Sequence, residues 1–185
     1  MTAAAPPILY YIRHGETDWN IEGRLQGQQD IPLNARDGRD PATLDYVSSP
    51  LGRARQTMEL TRAALGLAPD GYAIEPRLTE ISFGQWEGFT IAQLRNRDSQ
   101  RIAQREHDKW HFVAPGGGES YKAVSERMRT WYEALGRDTV VTAHGGTARG
   151  LMASLGIAKP AAAPLIDIAQ GVVYVFEGEK LTRYA

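Results

Sequence analysis

The sequence predicts an α/β sandwich with a mainly parallel central sheet, and three observations carry that expectation. Short apolar runs of strand length alternate with longer stretches at helical spacing. Two of those runs end in a histidine followed by glycine, His14-Gly15 and His144-Gly145-Gly146. In such sheets ligands sit outside the carboxyl ends of the strands, so both histidines fall where a site would form. At 185 residues the chain has the length of one domain with a full hydrophobic core, and we expect a single domain over 1–185.

The elements follow in order. Ile8-Leu9-Tyr10-Tyr11-Ile12 is apolar and aromatic without polar alternation, as suits a strand buried on both faces, and it stops at Arg13-His14-Gly15. Residues 44–47 (Leu-Asp-Tyr-Val) read as a second strand. Residues 51–65 place Leu51, Ala54, Met58 and Leu65 at helical spacing and end at Gly66. Two longer helices are expected, over about 90–108, rich in Arg, Gln and Asp, and over about 119–135, after the glycine run 116–118. Thr139-Val140-Val141-Thr142-Ala143 is a third buried strand, followed by a helix from Gly146 to Leu155 that ends at Gly156. Residues 172–176 and 180–184 pair as a C-terminal hairpin with Glu-Gly at its turn. The stretch between Leu33 and Leu44 does not fit. It is too polar and broken for a core-packing helix, although a crossover needs about a dozen residues or more. A helix expected around 34–43 is therefore read as missing.

Composition narrows the chemistry. With no cysteine there is no disulfide, no thiolate nucleophile and no Cys-ligated metal, and histidine chemistry is limited to His14, His107, His111 and His144. Lys+Arg number 21 against 22 Asp+Glu, so a net charge of −1 steers the protein to neither nucleic acid nor anionic membrane. The segment Met1–Pro7 lacks signal-peptide features, and the apolar run 8–12 falls far below the roughly 20 residues of a spanning helix. A cytoplasmic location is expected.

The stretch Arg13-His14-Gly15-Glu16-Thr17-Asp18-Trp19-Asn20 has the makings of a phosphate site. A strand-end imidazole with one nitrogen fixed by a backbone carbonyl can attack phosphorus with the other. Arg13 would hold phosphoryl oxygens in its planar fork and disfavour protonation of His14. Gly15 permits close backbone approach, and Thr17 and Asn20 can donate further hydrogen bonds. Taken alone, an Arg-His pair at a strand end more often makes ordinary capping contacts.

Five blocks in order change that balance. Arg13-His14-Gly15-Glu16-Thr17 with Asn20 is followed by Gly23-Arg24-Leu25-Gln26-Gly27 and by Ser48-Ser49-Pro50-Leu51-Gly52-Arg53-Ala54-Arg55-Gln56-Thr57. Then come Leu78-Thr79-Glu80-Ile81-Ser82-Phe83-Gly84-Gln85-Trp86-Glu87-Gly88 and Thr142-Ala143-His144-Gly145-Gly146. Together they resemble the histidine phosphatase superfamily, the phosphoglycerate-mutase-like proteins. The resemblance implies a three-layer α/β/α sandwich. It implies that His14 is phosphorylated in turnover, that Arg13 and Arg53 line the phosphate pocket and that His144 is the second pocket imidazole. Glu80 would be the proton donor, Asn20 and the Gly145 N–H further phosphate contacts, and Gln26 a substrate contact. No cofactor or metal is implied. The partner would be a small phosphorylated metabolite, with no nucleic acid or membrane, and a homodimer is left open.

The physical logic agrees: a phosphoryl group in flight spreads negative charge over its oxygens, and fixed cationic donors stabilise it. Within the family the short chain and the Phe-Gly-Gln-Trp-Glu-Gly block resemble phosphatases, whereas the tail Gln170–Phe176 somewhat resembles mutases. Hydrolysis is the favoured expectation, mutase-type transfer the alternative, and a non-catalytic phospho-ligand binder the rival from another class. His107 and His111 resemble a zinc spacing, yet the acid between them is Asp and no third ligand is near, so they read as solvated helix-end histidines. Trp86, Trp110 and Trp131 read as packing residues. The mixed charges from Arg95 to Lys109 read as a solvated helix face.

Overall fold

A computed structural model describes residues 6–15 and 41–184. Among these, six strands form one sheet in the order β3-β2-β4-β1-β5-β6, namely β1 (Leu9–Arg13), β2 (Asp45–Ser48), β3 (Ala73–Ile74), β4 (Thr139–Ala143), β5 (Val173–Glu177) and β6 (Lys180–Tyr184). Strands β1 to β4 run parallel, whereas β5 and β6 are antiparallel to β1 and to each other. The mainly parallel sheet of the expectation is therefore completed by an antiparallel edge.

Both faces of the central strands are buried, which is why their sequences do not alternate. Leu9, Tyr11, Val141, Ala143, Tyr174 and Phe176 face one side, where they meet helices α4 (Tyr121–Tyr132) and α5 (Gly145–Ser154) through Val124, Met128, Leu151 and Met152. Tyr10, Ile12, Val140, Val173 and Val175 face the other, packed on Met58 of helix α1 (Gly52–Ala64). This gives the three layers. Helices α4 and α5 approach closely because residue 150 is glycine: a Cβ there would lie 2.7 Å from Val124 Cγ1 and 3.1 Å from Ser125 N.

Several boundaries differ from expectation. The helix expected over 90–108 is two, α2 (Ile91–Arg97) and α3 (Ser99–His107), broken at Asp98 with φ −149° and ψ 54°. Asp98 ends one helix and begins the next without a side-chain cap, its Oδ2 accepting instead from Arg101 Nη1 at 3.1 Å. The break lets Leu94 and Ile102 enter one small core with Trp86 and Ala114. The second long helix is shorter than 119–135, capped by Ser120 Oγ, which accepts from Ala123 N at 3.2 Å. The hairpin turn lies one residue on, at Gly178-Glu179, where Gly178 has φ +60°, the first-position glycine of a tight hairpin turn. Strand β3, two residues long, was not foreseen. The missing helix around 34–43 falls mostly outside the described residues; Pro41–Thr43 form a single 3-10 turn.

Candidate active site

Strand β4 lies between β1 and β2, so their carboxyl ends form one rim. His14 continues the ladder beyond β1, its N–H donating to Ala143 O at 3.0 Å, and Ser49 continues β2 with its N–H on Thr142 O at 3.0 Å. His144 follows β4 directly and opens α5. Three adjacent strands thus deliver His14, Ser49 and His144 to one place.

The two imidazoles lie 5.1 Å apart, tilted by 54°. His14 is 2% exposed, and its Nδ1 lies 2.8 Å from Gly15 O. A carbonyl only accepts, so Nδ1 carries the hydrogen and Nε2 presents a lone pair. Burial, reinforced by Arg53 and Arg13, lowers the His14 pKa from 6.5 to about 3, which keeps the ring neutral at pH 7.

His144 has the opposite tautomer. Arg53 Nε–H donates to its Nδ1 at 3.2 Å, so Nε2 bears the hydrogen and donates to Ser49 Oγ at 2.8 Å. Its pKa also lies well below the ordinary value, first through complete burial, then through Arg53. Two uncharged rings can share this space without like-charge repulsion, one offering a lone pair and the other an N–H. The His144 backbone is pinned as well: its N–H donates to Tyr11 Oη at 3.0 Å, and that hydroxyl donates to its carbonyl at 2.6 Å.

Cationic and helix-end donors surround the pair. Arg53, in the first turn of α1, is fully buried. Arg13 Nη1 donates to Ile168 O, while its buried Nε has no hydrogen-bond partner among the described residues. Gly145 opens α5, where first-turn N–H groups have no intrahelical acceptor and attract anions. Glu80, after the 3-10 turn Pro76–Leu78, leans on the same helix end: Oε1 accepts from Ile81 N at 2.8 Å and Oε2 from Gly146 N at 3.2 Å. A Cβ on Gly146 would lie 2.3 Å from Glu80 Oε1, so only glycine leaves room for that carboxylate.

Arg13, His14, Arg53, Glu80, His144 and Gly145, all singled out from the sequence, therefore converge on the β1–β4–β2 rim and the N-terminus of α5. Thr17, Asn20 and Gln26 lie outside the described residues. His107 and His111 are exposed, with His111 Nδ1 on Asp108 Oδ2 at 2.9 Å. Among the described residues no cluster of three or more His, Asp or Glu could hold a metal ion, and no helix is long and apolar enough to cross a membrane. Trp86 and Trp131 are core residues and Trp110 packs against the core. Sequence reasoning gave no role to Ser49 or Tyr11, and none to Gln170, whose Nε2 donates to Gly15 O at 2.8 Å. Ser49 stood inside a quoted block, and its place immediately after a strand was a usable signal. Tyr11 and Gln170 carried none, because their partners lie more than 130 residues away.

Such a site can present a neutral nitrogen nucleophile to phosphorus, hold the phosphoryl oxygens with guanidinium and backbone N–H groups, and supply a carboxyl group beside the leaving oxygen. Known proteins similar to this chain are named as phosphatases and mutases. The chain is 34% identical over 172 residues to glucosyl-3-phosphoglycerate phosphatase of Mycobacterium tuberculosis, spanning 80% of this chain and 74% of that one. It is 29% identical over 188 residues to the 2,3-bisphosphoglycerate-dependent phosphoglycerate mutase 2 of Gloeobacter violaceus, spanning 92% and 85%. The crystal structure of the alpha-ribazole phosphatase from Shigella flexneri superimposes with a TM-score of 0.73 at 25% identity, over 91% of this chain and 89% of the other. The profile of the histidine phosphatase superfamily (branch 1) matches residues 9–183, and the chain is an enzyme of that superfamily.

Proposed function

We propose that this enzyme hydrolyses a phosphomonoester of a small metabolite through a phosphohistidine on His14. The observation that carries the reading is the hydrogen bond from His14 Nδ1 to Gly15 O, which leaves the Nε2 of a neutral ring as nucleophile. Nε2 attacks phosphorus and the P–O ester bond breaks. The leaving oxygen takes a proton from Glu80, which must carry one at that moment. The Glu80 carboxylate then accepts a proton from water as the water oxygen attacks phosphorus. The P–N bond breaks, releasing inorganic phosphate and a neutral His14. Arg13, Arg53, the His144 Nε2–H and the Gly145 N–H hold the phosphoryl oxygens throughout, and His144 exchanges its Ser49 contact for a phosphoryl oxygen. Thr17 and Asn20 supply further phosphate contacts, and Gln26 touches the substrate.

Hydrolysis is favoured over transfer by the Phe83-Gly84-Gln85-Trp86-Glu87-Gly88 block and by relatives and a structural neighbour named as phosphatases. A relative named as a mutase keeps phosphoglycerate interconversion as the second reading. An aryl phosphate assay in the presence of EDTA separates the outcomes. Turnover that EDTA leaves intact and that His14→Ala abolishes is expected. Rapid interconversion of 2- and 3-phosphoglycerate would replace the phosphatase with the mutase. Absence of both turnover and an acid-labile phosphoenzyme would leave only a phospho-ligand binder.

A further inference from the structure

The segment Ile168–Gln170 comes from the far end of the chain and touches both residues around the nucleophile. Ile168 O accepts from Arg13 Nη1, and Gln170 Nε2 donates to Gly15 O at 2.8 Å. Between them, Ala169 N–H donates to the hydroxyl of Tyr174 at 2.7 Å, and Tyr174 is buried on β5 beside β1. The segment is thus anchored to the sheet at its middle and directed at β1 on either side.

Gly15 O is also the acceptor of the His14 Nδ1 hydrogen, at 2.8 Å. One carbonyl therefore receives two N–H donors, as its two lone pairs allow. Glycine has the weakest backbone preference of any residue, so nothing intrinsic to position 15 keeps this oxygen turned to the imidazole. If it turned away, Nδ1–H would lose its acceptor and the ring could move its hydrogen to Nε2, leaving no lone pair for attack. The partner of the non-reacting nitrogen decides which nitrogen reacts.

We propose that Gln170 is a positioning residue: its side-chain amide holds the Gly15 carbonyl so that His14 stays in the Nδ1–H tautomer with Nε2 directed at phosphorus. The inference rests on the phosphohistidine reading for its effect on rate, but its structural part can be measured without turnover.

Gln170→Glu keeps the side-chain shape and removes the donor, and Gln170→Ala removes the contact entirely. In protein labelled with 15N-histidine, with the His14 signals assigned by their loss in His14→Gln, the wild type is expected to show a single Nδ1–H tautomer. Both Gln170 variants are expected to shift it towards a mixture, with circular dichroism and melting midpoint near wild type. Aryl phosphate kcat should fall about tenfold, in the range typical of groups that orient a reactive histidine, with KM changed less than about twofold. If either variant fails to fold, Gln170→Met takes its place. An unchanged tautomer in a folded variant, or a kcat within twofold of wild type, overturns the proposal. A wild type that shows the Nδ1–H tautomer but neither hydrolyses nor forms a phosphoenzyme would instead defeat the phosphatase reading, and the tautomer shift would still decide the role of Gln170.

Discussion

Replacing Gly146 with alanine puts a methyl group where the Glu80 carboxylate rests. The new Cβ would lie 2.3 Å from Glu80 Oε1 and 2.6 Å from Ile81 Cγ2, whereas ordinary contact begins at 3.4 Å. The carboxylate must withdraw by about an ångström, and a displacement of that size in a reacting group costs on the order of 100-fold in rate. That is about 2.7 kcal/mol of barrier at 1.36 kcal/mol per tenfold. Global stability should change little, because alanine within a helix gains about 1 kcal/mol over glycine and offsets part of the local crowding. The assay compares two substrates. An alkyl phosphate, whose leaving oxygen needs a proton, should lose about 100-fold in kcat/KM. A p-nitrophenyl phosphate, whose leaving group departs without help, should lose under tenfold. An equal loss on both substrates, or no loss on either in a folded variant, would refute the placement of Glu80 as proton donor.

Two further outcomes follow from the same geometry. The His14 pKa is about 3 in the fold against 6.5 ordinarily, so the unfolded chain binds more protons between those values. Stability therefore falls as pH drops from about 6.5 towards 3 and is insensitive to this group above that window. At pH 5 His14 should cost about 2 kcal/mol relative to pH 7. Urea unfolding of wild type and His14→Gln at both pH values checks this, and an equal pH dependence in the two proteins would contradict it. Gly150→Val should crowd Val124 and Ser125 and destabilise by about 1–3 kcal/mol, lowering the melting midpoint by several degrees. An unchanged midpoint would show that α4 and α5 can separate freely.

Much of this fold and site was legible because the informative features are local. Leu9–Arg13 and Thr139–Ala143 are buried on both faces and so read as unbroken apolar runs. The histidines at their ends, together with Arg13, Arg53, Glu80 and Gly145, stood in blocks whose order along the chain was itself a signal. The features that escaped depend on tertiary context. Asp98 divides a stretch whose composition favours one helix, because the bend brings Leu94 and Ile102 into a shared core. Ala73–Ile74 pairs with β2 over two residues, too few to leave a period in the sequence. The hydroxyl of Tyr11 reads as core until β4 brings His144 beside it, and Gln170 sits 155 positions from the carbonyl it holds. Such contacts leave no mark on either partner's local sequence.

The proposed hydrolysis turns on covalent phosphorylation of His14 at Nε2. Rapid quenching of the enzyme during turnover of a 32P-labelled monoester, followed by peptide mapping, tests it directly. Label is expected on the peptide containing His14, stable to alkali, lost in acid, and absent from His14→Ala. Label on any other residue, or full turnover by His14→Ala, would contradict it.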